Sequence, residues 1–256
     1  MQNMQKDEVR AMRRYVAGES WTRQGESDQS KGVPAPPIML EPSGAPVIPL
    51  PRPEECTVAG RSMLDAVNSR RSRRVFLDQP LSLLQLSYLL YCCQGYQCPR
   101  PGQQSYAAFR TVPSAGCRHP LDTYVALRHV EGVDCGVYRF LPRTHALELV
   151  RAYDPAQLKA LVSEAANDQK FCGAAPVCIF WAADMYRSEW RYPMSAHKVV
   201  LLDAGHACQN LYLACEALQL GTCAIAAYDQ QKADALLGVD GADVFTVYLA
   251  PVGVPR

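Results

Sequence analysis

Between residues 70 and 74 the chain reads Arg-Arg-Ser-Arg-Arg and runs straight into the apolar Val75-Phe76-Leu77. Taken alone, such a cluster fits a solvated basic face or a nucleic-acid patch. Its position directly before an apolar run instead places it beside a core. In an extended segment, alternate residues share a face at about 6.6 Å spacing, so Arg70, Ser72 and Arg74 point the same way. One arginine can then fork onto a phosphate while another reaches a second polar group of the same ligand. Guanidinium suits that task because its donors match two oxygens and it stays charged.

Two stretches of small residues could meet a flat ligand. Pro113-Ser114-Ala115-Gly116 forms a tight turn, and Ile225-Ala226-Ala227-Tyr228 ends a predicted strand. Small side chains let a backbone approach a ring closely. Other chemistries have less support. The five histidines, at 119, 129, 145, 197 and 206, have no partners at ligand spacing. Cys92, Cys93 and Cys98 lack the second pair that a structural zinc site needs. A Cys–His pair assembled in space stays open at this point, although nothing distinguishes one cysteine from the others.

A long apolar stretch must position these residues. Residues 196–220, AHKVVLLDAGHACQNLYLACEALQL, predict one long helix with a narrow polar stripe of Asp203, His206 and Asn210, with Gln209 beside it. Gly221 then reads as its C-terminal stop. A helix apolar almost all round needs cover almost all round, and a second copy of the chain is the natural lid. Ser62 starts a short helix before the arginines. Ser82 with Gln85 is a capping box opening a helix that Gly95 closes. Residues 96–108 predict a mobile loop.

Three short runs, DTYVALRHV, VYRF and ALELV, read as antiparallel strands. Asp154-Pro155 opens a helix to about Ala166, and Val177–Ala183 is a strand buried on both faces. Thr222–Tyr228 predicts another buried strand, Asp229 caps a helix ended by Gly238, and Val244–Leu249 is the last strand. The fold class is α+β, one mainly antiparallel sheet covered by helices.

Two parts are expected: a polar and proline-rich extended arm over residues 1–60, and one domain over 61–256. Eight prolines fall between Pro34 and Pro53, interleaved with Ile38, Met39, Leu40, Val47, Ile48 and Leu50. That mixture predicts an arm lying on a surface, that of a partner copy. A net charge of +1 argues against general binding of nucleic acid or anionic membrane. No apolar run reaches the ~18 residues of a membrane span. The opening MQNMQKDEVR has no apolar segment of an export signal, and the eleven cysteines sit in apolar contexts, so a reduced, cytoplasmic protein is expected.

Together the pieces resemble the nitroreductase superfamily, and within it the SagB-type (thiazole/oxazole-forming oxidase-like) branch. The matching stretches are RRSRRVF (70–76), PLSLLQLSYLLYCCQG (80–95), RTVPSAGCRHPLDTYV (110–125), GVYRF (136–140), LLDAGHACQNLYLACEALQLGTCAIAAY (201–228) and VYLAPVGVP (247–255). The resemblance implies a homodimer built around the long helix, with FMN at the interface. Carried over, Arg70 and Ser72 hold the phosphate, Arg71 lies in the same motif, and Arg74 faces the pyrimidine edge. Pro113 and Ser114 line the ring, and the backbone of Ala226 and Ala227 faces N5.

Three departures from the family matter. Ala226 stands where many relatives have glycine. Arg256 ends the sequence where many continue to a basic tail, and it can stand in for that tail. Arg191-Tyr192 occupies the place of a catalytic Lys-Tyr pair in azoline-oxidising relatives. The function this implies is an FMN-dependent oxidoreductase acting by hydride transfer at N5 on a small-molecule or peptide-derived substrate, with NAD(P)H as a candidate donor. The competing readings are a catalytically degenerate flavin-binding carrier or sensor and a basic nucleic-acid module.

Overall fold

The structure is a computed structural model and describes residues 2–17, 19–22, 24–57, 60–97 and 107–256. Helices α1 (Gln2–Val16) and α2 (Glu19–Thr22) lead into an extended stretch containing strand β1 (Val47–Pro49). Then come α3 (Met63–Ser69), α4 (Leu83–Gln94), and the short strands β2 (Tyr96–Gln97) and β3 (Phe109–Arg110). Strands β4 (Leu121–Leu127), β5 (Gly136–Leu141) and β6 (Ala146–Ala152) precede α5 (Pro155–Ala165) and α6 (Lys170–Ala174). The chain closes with β7 (Val177–Asp184), α7 (Met185–Glu189), α8 (Ala196–Ala217), β8 (Gly221–Thr222), α9 (Gln230–Leu237) and β9 (Val244–Gly253).

Seven strands make the main sheet in the order β1-β6-β5-β4-β7-β9-β8, every neighbouring pair antiparallel. The α+β architecture expected from the sequence is the one found. Both faces are covered, which explains the unbroken apolar run of β7. Ile179 and Trp181 pack with Leu86 and Leu90 of α4 and Leu211 of α8. Cys178 and Phe180 face the other way, onto Leu158 and Val162 of α5 and Leu236 of α9. Phe180 is fully buried, and truncating it to alanine would cost about 3–5 kcal/mol, the range for emptying such a site.

The helix starts read from the sequence are present. Ser82 and Gln85 form the reciprocal capping box, with bonds of 2.9 and 3.1 Å. Ser62 accepts from the Asp65 N–H, and Asp154 from the Gln157 N–H. Three expectations need correction. First, α8 stops at Ala217, and the left-handed residue that ends it is Gln219 (φ 57), not Gly221. The Leu220 N–H reaches back to the Cys215 carbonyl at 2.7 Å and that of Gln219 to Glu216, which is a Schellman closure. Gly221 is required for another reason: a Cβ there would meet Arg73 Cγ at 2.7 Å.

Second, Thr222–Tyr228 is a strand only at Thr222, because the Ala224 N–H goes to a tyrosine hydroxyl and Ile225 makes one isolated bridge to Leu249. Third, the proline-rich arm lies on its own chain. Val47–Pro49 is the edge strand beside β6, a place where missing N–H groups are tolerated. The Ser43 hydroxyl donates to Glu148, and the Ser87 hydroxyl donates to the Pro51 carbonyl. Residues 43–51 are thus proline-rich in composition but joined to the sheet in space. The loop expected over 96–108 lies mostly outside the described residues; its two ends pair as β2 and β3.

Candidate functional site

Helix α8 organises the site from both sides. Near its C-terminal end, the buried Tyr212 places its hydroxyl 2.9 Å from the Ser72 hydroxyl, and that same oxygen accepts from the Ala224 N–H at 2.9 Å. The Arg70 guanidinium sits over the Tyr212 ring, 5.2 Å from its centroid. The extended segment after α3 bridges in parallel to Thr222, with Arg73 N–H donating to the Thr222 carbonyl at 2.9 Å. At the other end of the segment, Phe76 bridges to Pro255, and the Arg256 N–H donates to the Val75 carbonyl at 3.1 Å. Ser72 is thereby paired beside Thr222 and Arg256 beside Val75, while Arg74, Ala226 and Ala227 are exposed. Arg71 is diverted: its guanidinium turns back to the carbonyls of Asn68 and Arg70 and closes α3.

The second group lies nine residues earlier on α8, about 13.5 Å and two and a half turns away, hence on the opposite side of the helix. There the Ser114 hydroxyl donates to Asp203 at 2.5 Å and accepts from the His119 N–H at 2.9 Å. The Ala115 N–H also donates to Asp203. The Ser114 hydroxyl is thereby spent within the protein and its carbonyl accepts from the Cys117 N–H, leaving Pro113 as the exposed part of the turn. Burial pushes the Asp203 carboxyl above its ordinary value, against the lowering by these donors. His119, buried behind the turn beside Arg110, is pushed down to about 3 by burial and by that arginine, so it is neutral near pH 7.

Arg191 and Tyr192 join this second group. Gly116 has φ +58, and a Cβ on it would come within 2.7 Å of the Tyr192 hydroxyl and 2.9 Å of the Arg191 side chain. Arg191 Nε donates to the Tyr192 hydroxyl at 3.0 Å, and Trp21 packs edge-on against the Tyr192 ring at 5.6 Å. The loop carrying the pair is held from beneath by a buried ion pair, in which Arg187 makes two bonds to Asp122 at 3.0 and 2.9 Å. Arg118, fully buried, stacks under Trp190 at 4.8 Å.

The residues singled out from the sequence thus separate into two groups that one copy of the chain does not bring together. Sequence reasoning missed Tyr212 and Arg73. Tyr212 lies at a helix position whose spacing marks only core, and nothing local in the sequence points to its hydroxyl. Between the two groups α8 presents an exposed stripe that includes Leu202, His206 and Gln209. The polar stripe expected from sequence is therefore divided: Asp203 is buried, and Asn210 donates to the Cys92 carbonyl at 2.9 Å. A cavity of about 380 Å³ opens beside α8, lined by Arg61, Met63, Tyr88, Tyr91 and Leu213 among others. It holds none of the expected site residues.

Among the described residues no group of His, Cys, Asp and Glu could hold a metal ion. The ten described cysteines are free thiols. Burial pushes Cys92 up to about 11 and Cys172 and Cys208 up to about 12, so these thiols stay protonated and make poor nucleophiles. No helix among the described residues is long and apolar enough to cross a membrane.

The Nitroreductase family matches residues 67–254. A nitroreductase-named protein of Methanocaldococcus jannaschii is 33% identical over 189 residues, covering 74% of this chain and 89% of that protein. The trifolitoxin-processing protein TfxB of Rhizobium leguminosarum bv. trifolii is 33% identical over 116 residues, 43% of this chain and 30% of TfxB. A nitroreductase-named protein from Desulfovibrio desulfuricans, solved in complex with FMN, shares the fold with a TM-score of 0.53 and 20% identity, covering 77% of this chain and 87% of that one.

Proposed function

This chain belongs to the nitroreductase family, and from that premise we propose that it is an FMN-dependent oxidoreductase of the SagB-type branch, working as a homodimer in the cytoplasm. The observation that supports the reading is the backbone pairing of Ser72 with Thr222 and of Val75 with Arg256, which ties the arginine segment 70–74 to the residues after α8 and to the C-terminal residues. The arginine and serine donors of this segment suit a phosphate monoester, and Ala226 and Ala227 are exposed with small side chains that leave room for a flat ring, the Ala227 carbonyl being taken by Gln169, so the residues fit FMN. FMN, when bound, supplies a centre that accepts or gives a hydride at N5.

In this reading Arg70 and Ser72 bind the phosphate, with Arg256 adding positive charge. Arg74 stands at the pyrimidine edge, where a cation favours the anionic reduced cofactor. Pro113 and Ser114, in the turn that Asp203 holds through the Ser114 hydroxyl and the Ala115 N–H, line the ring. The distance between the two groups along α8 supports a site completed between two copies, each contributing one group. The exposed stripe of α8, including Leu201 and Leu202, supports a second copy as its cover.

Tyr192 is placed to touch a substrate above the Gly116 turn, orienting it by hydrogen bond or ring contact. Arg191 holds the Tyr192 hydroxyl, and a guanidinium stays charged and so cannot serve as a base. That favours reduction of a small electrophilic or peptide-derived acceptor, with NAD(P)H as donor, over base-assisted desaturation. The test is the absorption spectrum of the purified protein. It is expected to be yellow and to release FMN rather than FAD on denaturation. A colourless protein that FMN does not reconstitute would overturn the reading.

A further inference from the structure

We infer that Tyr212 is a positioning residue for phosphate recognition, the middle of a donor relay that turns the Ser72 hydroxyl outward as a hydrogen-bond donor. The inference rests on the FMN reading and names a residue that the reading did not contain. The Ala224 N–H can only donate, and it donates to the Tyr212 oxygen at 2.9 Å. Ser72 is the other hydrogen-bond neighbour of the phenol, 2.9 Å away, so the arrangement that also gives the phenol proton an acceptor has Tyr212 donating to the Ser72 oxygen. Ser72 then has an accepted proton on one side and its own proton left to give. Ser72 is exposed within the arginine segment, so that remaining proton faces outward.

The direction of the relay has a chemical consequence. Donors in series polarise one another, strengthening the last by about 10–30% per bond. The end of such a relay prefers a ligand atom that only accepts, such as an ionised phosphate oxygen, to an alcohol that also needs to donate. Tyr212 can set this direction before any ligand arrives. It is buried in the α8 packing, and the Arg70 guanidinium lies 5.2 Å over its ring. One buried phenol thus joins Arg70, Ser72 and the segment leading to Ala226 and Ala227. Phenylalanine would fill the same space yet leave the Ala224 N–H without its acceptor and free the Ser72 hydroxyl to rotate.

The experiment compares FMN with riboflavin, which lacks the phosphate, by flavin fluorescence titration of the apoprotein. The set is wild type, Tyr212→Phe, Ser72→Ala and the double variant. Tyr212→Phe is expected to weaken FMN binding about five- to ten-fold, the equivalent of one hydrogen bond, with riboflavin changed less than two-fold. In the Ser72→Ala background the tyrosine substitution should add nothing, because both act through one contact. Equal loss for both ligands, additive losses, or unchanged FMN binding in Tyr212→Phe would overturn the relay. Should Tyr212→Phe not fold, Ser72→Ala still decides, since its loss must be confined to FMN. A wild-type protein that binds neither flavin would instead overturn the FMN reading itself.

Discussion

The Ser114 hydroxyl donates to the Asp203 carboxylate at 2.5 Å, tying together residues 89 apart in sequence. This bond fixes the turn 113–117 against the first half of α8, and the same turn carries Gly116 against Tyr192. The carboxylate is buried, and burial raises its pKa above the ordinary value despite the donors that favour the ionised form.

A pH-dependent stability difference follows from that shift. A raised folded-state pKa means that folding favours the protonated acid. The stability gained is complete below the ordinary carboxylate pKa and is lost as pH rises through the raised one. Asp203→Asn keeps an acceptor for Ser114 and removes the titration. Urea unfolding of both proteins should show wild type losing stability relative to Asp203→Asn as pH rises from the ordinary carboxylate range toward neutrality. A difference that is flat with pH, or that grows in favour of wild type, would contradict the shift.

Arg70 and Arg74 are expected to behave differently, although they are four residues apart in one segment. Arg70→Ala should weaken FMN binding by roughly 1.5–3 kcal/mol, the range for one hydrogen bond to a charged group. Arg74→Ala should in addition lower the reduction potential of the bound flavin, because a cation near the pyrimidine edge stabilises the reduced anion. Titration and spectroelectrochemistry check both, and two variants with full affinity and unchanged potential would remove the assignment.

On α8, Leu202 is 53% exposed while Leu211 is fully buried in the chain's own core. Glutamate at the two positions should therefore do different things. Leu211→Glu buries an unpaired charge and should unfold the protein. Leu202→Glu should leave each copy folded but disrupt the pairing of copies, read by sedimentation as a shift from dimer to monomer with loss of flavin. A wild-type protein that sediments as a monomer with its flavin bound would refute the two-copy site.

Gly116 combines a left-handed backbone with a close approach, φ +58 and 2.7 Å from a would-be Cβ to the Tyr192 hydroxyl. Gly116→Ala is expected to cost about 1–2 kcal/mol from the backbone conformation alone, and it must also displace Tyr192. Displacement should change the emission of Trp21, which packs against that ring. Unchanged emission with unchanged stability would show that the turn absorbs the methyl group.

Much of this arrangement was legible in the sequence, wherever a local signal had a local cause. Capping at Ser62, Ser82 and Asp154 needs only the next three residues. The buried strand β7 needs only its own apolar run. What was not legible depended on distant partners. Gly221 looks like a helix stop, yet it is small because Arg73 packs on it, while Gln219 takes the left-handed turn. The stretch after Thr222 is apolar like a strand, but its Ala224 N–H goes to Tyr212. Tyr212 itself reads as core, and only the fold reveals what its hydroxyl holds. The prolines of the arm cannot announce which edge receives them, and that edge turned out to be β6 of the same chain.

The Arg191–Tyr192 pair bears on the reaction this chain should fail to perform. Azoline oxidation of the kind implied by the resemblance uses a lysine beside the tyrosine, a group able to give up its proton near neutral pH when buried. Here the neighbour is an arginine whose Nε donates to the Tyr192 hydroxyl at 3.0 Å. A guanidinium stays charged and remains a donor throughout the working range. It can orient the phenol and stabilise negative charge, but it cannot remove a proton from a ring carbon. The flavin-loaded protein incubated in air with a thiazoline-containing peptide is thus expected to leave the peptide mass unchanged, while an electrophilic acceptor with NAD(P)H is reduced. The informative counter-result is a two-dalton loss that disappears in Tyr192→Phe. That outcome would make Tyr192 the proton acceptor and would move the chain from the reductases to the desaturating enzymes.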